Sequence, residues 1–220
     1  MLEITLENAG KRYNRDWIFR GINHTFFPAK ACAITGNNGS GKSTLLQCIS
    51  GAIELKEGKV AFTKSGAAIS SDNFYAYIAI VAPYLELVEE MTALEMLRFH
   101  GSFKPFLENI SITNILDEVQ LLQAADKQIR YYSSGMKQRL KLAQAVFSNV
   151  PVLLLDEPCT NLDQEGYELY HYLINTYCKQ RTVIVSSNDK NEYSFCKEII
   201  DLRAYKNISI DMPDSKKIIN

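Results

Sequence analysis

Two groups of residues in this chain have the types and spacing to handle a phosphate ester. Gly36-Asn37-Asn38-Gly39-Ser40-Gly41-Lys42-Ser43 fits G-x-x-x-x-G-K-[ST], a loop whose backbone N–H groups cradle nucleotide phosphates. Its glycines admit conformations closed to other residues, so successive N–H groups converge on anionic oxygens at the positive end of the following helix. In that pattern Lys42 reaches the β- and γ-phosphates and the Ser43 hydroxyl is a ligand for Mg²⁺. Thr44 begins a helix face continued by Leu45, Leu46 and Ile49. The second group is Val152-Leu153-Leu154-Leu155-Asp156-Glu157. An apolar strand ending in two acids delivers carboxylates to the carboxyl edge of a parallel sheet, where ligands bind in such folds. Asp156 is expected to hold Mg²⁺, through water or the Ser43 hydroxyl. Glu157 is expected to orient and help deprotonate an attacking water, since phosphoryl transfer is mostly positioning and charge stabilisation. The two groups complete one Mg²⁺-nucleotide site.

The elements that must carry these residues are legible around them. Leu2, Ile4 and Leu6 alternate as in a strand, and Ala31–Thr44 reads as strand, glycine loop and helix start. Lys59–Phe62 and Tyr75–Ala82 are rich in Val, Ile and aromatics and read as strands. From Thr92 the period becomes helical, first through Ala93, Leu94, Met96, Leu97 and Phe99, then through Ile112, Ile115, Leu116, Val119 and Leu122. Pro105 interrupts the run, and Ser133 is suited to cap a third helix. This predicts a helical insertion, about 92–150, within an α/β core, and a loosely ordered polar tail over Pro213–Asn220.

Composition narrows the function. The 220 residues, 46% of them hydrophobic, are enough for one α/β domain with an inserted subdomain. The 24 basic and 25 acidic residues nearly cancel and form no long basic run, so no nucleic acid partner is expected. The longest apolar stretches fall far short of the roughly 18 residues that span a bilayer. The N-terminus lacks the apolar core of a signal peptide, which predicts a cytoplasmic protein. The five cysteines stand without metal-ligand spacing and read mostly as small buried hydrophobes. His24, His100 and His171 stand apart in the sequence from any acid or Cys at ligand spacing and are read as structural or surface residues. Cys159, beside the acidic strand, is read as a small turn filler.

A third motif sets the chain apart from other proteins with such a loop. Tyr132-Ser133-Ser134-Gly135-Met136 opens a helix shortly before the acidic strand, and a hydroxyl with free N–H groups at a helix start is an anion site. In this order of motifs, over roughly Leu2–Arg203, the sequence resembles the ATP-binding cassette (ABC) ATPases, whose signature reads Leu-Ser-Gly-Gly-Gln. Ser133 and Gly135 are kept; Ser134 and Met136 depart from it. The resemblance implies a single cassette over the 220 residues: an α/β P-loop core with an antiparallel β subdomain and the inserted helical one. It implies that two cassettes pair head to tail, each ATP lying between the loop of one and the Ser133/Gly135 signature of the other. It assigns the adenine-stacking aromatic to Tyr13, with Trp17 as a nearby substitute, and to Asp163 the interfacial loop Thr160-Asn161-Leu162-Asp163. It further implies a separate transmembrane permease subunit that holds the cassette, by way of Tyr84–Met91, on the cytoplasmic face of a membrane. The style of signature is most similar to ATP-binding subunits of small exporters, including those of cytochrome c maturation.

Two positions depart from the family pattern. Asn188 stands where a His usually contacts the γ-phosphate; its amide donates a hydrogen bond but shuttles no proton. Tyr84 stands where a Gln usually binds Mg²⁺, with Glu86 nearby as an alternative ligand. Two other readings therefore stay beside the transporter ATPase: a regulatory cassette that binds ATP with little turnover, and a non-transport ABC ATPase. The second is disfavoured by the single cassette, the lack of a coiled-coil arm and the balanced charge.

Overall fold

The computed structural model describes residues 1–206; the tail expectation for Pro213–Asn220 lies outside them. The chain builds two sheets. Strands β1 (Leu2–Tyr13), β2 (Asp16–Phe26), β4 (Glu57–Lys64) and β5 (Ala67–Ile69) form an antiparallel sheet in the order β2-β1-β4-β5. Strands β3 (Ala31–Thr35), β6 (Ile78–Val81), β7 (Val152–Asp156), β8 (Thr182–Ser186) and β9 (Glu198–Asp201) form a parallel sheet in the order β6-β7-β8-β3-β9.

Alternation along the parallel strands separates two cores. Val152 and Leu154 of β7, Ile184 of β8 and Ile78 of β6 face one way, packing with helix α1 (Lys42–Ile49) and the antiparallel sheet. Leu153, Leu155, Val183, Val185, Ala79 and Val81 face the other way, under the helices. Both faces are covered, so all five residues of β7 and of β8 are buried, the pattern of a parallel sheet with period-2 side chains.

The second core is made with α2 (Ala93–Phe103), α3 (Ile112–Glu118), α4 (Ser134–Val146) and α5 (Gln164–Tyr177). Three of these helices lie in the crossover between β6 and β7, which are neighbours in the sheet. Thr92 starts α2 with a reciprocal capping box to Glu95, a motif that satisfies two orphan N–H groups. The helix stops at Phe103, just ahead of Pro105, as the restriction on pre-proline residues requires. Ser133 caps α4 by accepting from Met136 N at 3.2 Å.

The expected strand over Tyr75–Ala82 is half that length. Ser71–Tyr77 is a 3-10 helix, and only Ile78–Val81 joins the sheet. The reason is Phe74, which turns inward and stacks on Phe62 of β4 with ring centroids 3.8 Å apart, while Tyr75 is left exposed. Of the aromatics in the expected strand, Tyr75 faces solvent and Tyr77 packs at the margin of the core under the antiparallel sheet.

Candidate functional site

The phosphate loop connects β3 to α1 and is built on positive φ angles: Gly36 at +143°, Gly39 at +75° and Gly41 at +98°. At Gly41 a Cβ would stand 2.2 Å from Ile18 Cγ2, so the approach of the loop to β2 itself requires glycine there. Helix α1 begins with no side-chain cap and no acidic residue in its first turn, which leaves its first N–H groups available to an anion. Lys42 is buried, and its Nζ donates to Gly36 O at 2.9 Å. Ser40 Oγ is buried without a hydrogen-bond partner. An orphaned hydroxyl in a loop that leads into an uncapped helix start and holds a buried ammonium fits a phosphate ester. Ser43, next to Lys42, is exposed at the mouth of the loop.

The acidic pair lies at the carboxyl end of the same sheet. Asp156 is buried, and its Oδ1 accepts from Ser186 Oγ at 2.7 Å across the β7/β8 register. Sequence reasoning missed Ser186; the polar end of an otherwise apolar strand was the available signal. Glu157 takes a left-handed φ of +45°, which costs a non-glycine residue about 1–2 kcal/mol. Its N–H donates to Ser186 O at 2.9 Å, and its carbonyl accepts from Thr160 Oγ1 at 2.9 Å and Thr160 N at 3.1 Å. These contacts hold the carboxylate at the strand end, the kind of over-determination that sustains backbone strain at a working position. Behind it, buried Glu192 accepts from Cys159 N at 2.7 Å, and burial pushes the Glu192 carboxyl above the ordinary glutamate range. Nothing in the sequence pointed to Glu192. Cys159 itself is buried, as a filler should be.

Asn188 follows β8, and its Nδ2 donates to Asn38 Oδ1 of the phosphate loop at 2.8 Å. Tyr84 follows β6 and lies beside Gln47 of α1, within electrostatic reach of Asp156; burial raises its phenol above the usual value, so the group stays neutral. A neutral phenol is a weak ligand for a hard cation. Glu86 lines a surface hollow with Lys141 of α4, whose Nζ stands 3.4 Å from Pro83 O.

Ser133, Gly135 and Asp163 meet at one surface. A shallow hollow there is lined by the start of α4 and by Asn161 and Leu162. A Cβ on Gly135 would stand 3.2 Å from Asn161 O. Asp163 caps α5 by accepting from Gly166 N at 2.9 Å, and Arg139 Nη2 lies 3.6 Å from the same Oδ1. Gln138 of α4 donates to Pro158 O, tying the signature helix to the segment after Glu157. Tyr13 ends β1 half exposed, with the Lys11 ammonium 5.2 Å from its ring centre. Trp17 is less available, because Arg20 lies over its ring at 4.4 Å and Arg12 at 5.5 Å.

The histidines divide. His100 is bonded to Ser148 Oγ at 2.9 Å and stacks on Phe106, a structural role. His171 packs among Tyr170 and Phe195. His24 lies against both Cys32 and Glu198, residues 8 and 174 positions away whose proximity only the β2-β3 connection and the β3/β9 pairing create.

Comparison with known proteins agrees with this geometry. Residues 19–160 match the family model described as ABC transporter. The chain is 29% identical over 194 residues to an uncharacterised ABC transporter ATP-binding protein, YybJ, of Bacillus subtilis, covering 87% of each. It is 24% identical over 205 residues to the cytochrome c biogenesis ATP-binding export protein CcmA of Haemophilus influenzae, covering 93% of this chain and 97% of that one. Among solved structures, a putative ABC transporter ATP-binding protein from Pyrococcus furiosus superposes with a TM-score of 0.78 at 19% identity, over 93% of this chain and all of the other. The dimeric cassette MJ0796, in a post-hydrolysis state with ADP and phosphate, superposes with a TM-score of 0.76 at 24% identity, over 90% and 93%. With its phosphate loop, acidic strand and signature helix gathered on one such fold, the chain belongs to the ABC transporter family as an ATP-binding cassette.

Proposed function

We propose that this cassette binds and hydrolyses ATP with Mg²⁺ as one of a head-to-tail pair, and drives a separate membrane-spanning subunit that exports its substrate. The observation that carries the reading is the convergence, at the carboxyl ends of β3, β7 and β8, of a phosphate loop with an orphaned Ser40 hydroxyl, the Asp156/Glu157 pair and Asn188. The loop from Gly36 through Asn37, Asn38, Gly39, Ser40 and Gly41 to Thr44 wraps the phosphates, and Lys42 supplies positive charge. Ser43 and Asp156 hold the cation. Bound Mg²⁺ supplies charge neutralisation at the β- and γ-phosphate oxygens. Glu157 orients water and accepts its proton; Asn188 donates a hydrogen bond toward the γ-phosphate. Tyr84 borders the site as a neutral hydrogen-bonding group, Tyr13 stacks the base, and Ser133, Gly135 and Asp163 serve the nucleotide of the partner cassette.

Pairing and export are supported by likeness: a related cassette has been solved as a dimer, and several relatives are named export proteins. Among the described residues no helix is long and apolar enough to cross a membrane, so the reading assigns the pathway to another polypeptide. A regulatory role with little turnover is the second reading, favoured by Asn188 and by the neutral phenol of Tyr84. Tagging the chain in its native cells, solubilising the membranes gently and identifying stoichiometric partners tests the proposal. A co-purifying polypeptide with several membrane spans is the expected result. Recovery with soluble partners alone would move a non-transport ATPase to first place.

A further inference from the structure

Far from the nucleotide site, three ligand-type side chains from three strands converge. His24 comes from β2, Cys32 from β3 and Glu198 from β9, the last two being direct partners across the parallel register. His24 Nε2 is 3.9 Å from Cys32 Sγ and 3.9 Å from Glu198 Oε2, and the three ligand atoms lie within 4.8 Å of one another. In a tetrahedral zinc centre, bond lengths of about 2.0–2.3 Å place neighbouring ligand atoms roughly 3.3–3.8 Å apart. The observed spacing lies within a modest side-chain adjustment of that.

We propose that His24, Cys32 and Glu198 form a zinc site that fastens the antiparallel sheet to the edge of the parallel sheet. Thiolate and imidazole donors select a borderline-soft cation over Mg²⁺ or Ca²⁺. Cys32 is buried, whereas His24 and Glu198 are half-buried at the surface, so three protein ligands close the inner side and the fourth position faces solvent. Glu198 is already oriented: Lys30 Nζ stands 3.5 Å from Oε1, leaving Oε2 toward His24. Cys32 and Gly36 are separated by four residue steps along β3, roughly 13 Å at 3.3 Å per residue, so this site and the phosphate loop are distinct.

The test is titration of untagged protein with ZnCl₂, and separately with CoCl₂, in saturating Mg²⁺ to block Asp156. One ion per chain is expected, with a thiolate-to-cobalt charge-transfer band and a raised melting midpoint. Cys32→Ser should remove the band. His24→Ala and Glu198→Gln should each weaken zinc by more than the roughly 10- to 100-fold that loss of an outer-shell partner costs, with ATP binding kept as the check on folding. No ion bound, cobalt bound without the band, or zinc affinity unchanged in His24→Ala and Glu198→Gln would each overturn the proposal. Glu198→Gln, at a half-exposed position, keeps the test decisive should the buried Cys32→Ser variant fail to fold.

Discussion

The side-chain amide of Asn188 donates to Asn38 Oδ1 at 2.8 Å, joining the end of β8 to the middle of the phosphate loop. The two residues are 150 positions apart, and the bond places at the loop an amide where the sequence resemblance leads one to expect an imidazole. An amide retains donor capacity and lacks the charge state that would let it pass a proton. If the cassette works as an ATPase, Asn188→His should change turnover by less than about tenfold, because the proton is taken by Glu157. A gain of about 10² or more, the lower end of what acid–base catalysis contributes, would favour the regulatory reading. Steady-state phosphate release from the two proteins decides it.

Glu157 is held at φ +45° by bonds to Ser186 and Thr160, so an isosteric change should leave its backbone in place. Glu157→Gln removes the proposed base and keeps the shape. Turnover is expected to fall by roughly 10²–10⁴ with ATP affinity unchanged, as read by phosphate release and by equilibrium nucleotide binding. Unchanged hydrolysis would remove Glu157 from the role of base.

Much of this site was legible because its chemistry depends on short, contiguous spacing. Ala31–Ser43 and Val152–Glu157 each carry their own strand and the turn that leaves it, so the sequence pattern and the geometry are the same fact. Ser133 was legible as a cap for the same reason. The partners that fix these groups were not: Ser186 under Asp156, Glu192 behind Cys159 and Asn38 beside Asn188 meet only through strand order. The segment before β6 misled because Tyr75 and Tyr77 raise strand propensity whether or not they pair, and both lie in the 3-10 helix whose Phe74 packs on Phe62. His24, Cys32 and Glu198 were separated in the chain by enough residues that no ligand spacing existed to read.

His100 offers a check on the helical subdomain. Ser148 Oγ donates to Gln144 O, so it accepts from His100 Nε2, and burial with the nearby Lys104 charge lowers the imidazole from 6.5 to about 4. The unfolded chain takes up that proton first, so the stability held by neutral His100 is complete above pH 6.5 and is lost as the pH falls through about 4. His100→Gln keeps a donor for Ser148 and removes the titration. Melting midpoints measured across that pH interval should fall more steeply in the parent protein than in the variant, and parallel curves would place the acid sensitivity elsewhere.

The two central loop glycines should part company on substitution. Gly39, at φ +75°, has nothing within 4 Å of a would-be Cβ, so Gly39→Ala meets only backbone strain, about 1–2 kcal/mol. Gly41, at φ +98°, would bring a methyl group to 2.2 Å from Ile18 Cγ2. Relief then requires turning the partly buried Ile18 side chain or moving β2 or the start of α1, and the last carries the N–H groups proposed to face the phosphates. Gly41→Ala should therefore abolish nucleotide binding while the fold persists by circular dichroism, whereas Gly39→Ala should weaken binding by no more than about thirtyfold, the strain expressed as affinity. Equal affinities in the two variants would show that the close approach to Ile18 does not shape the loop.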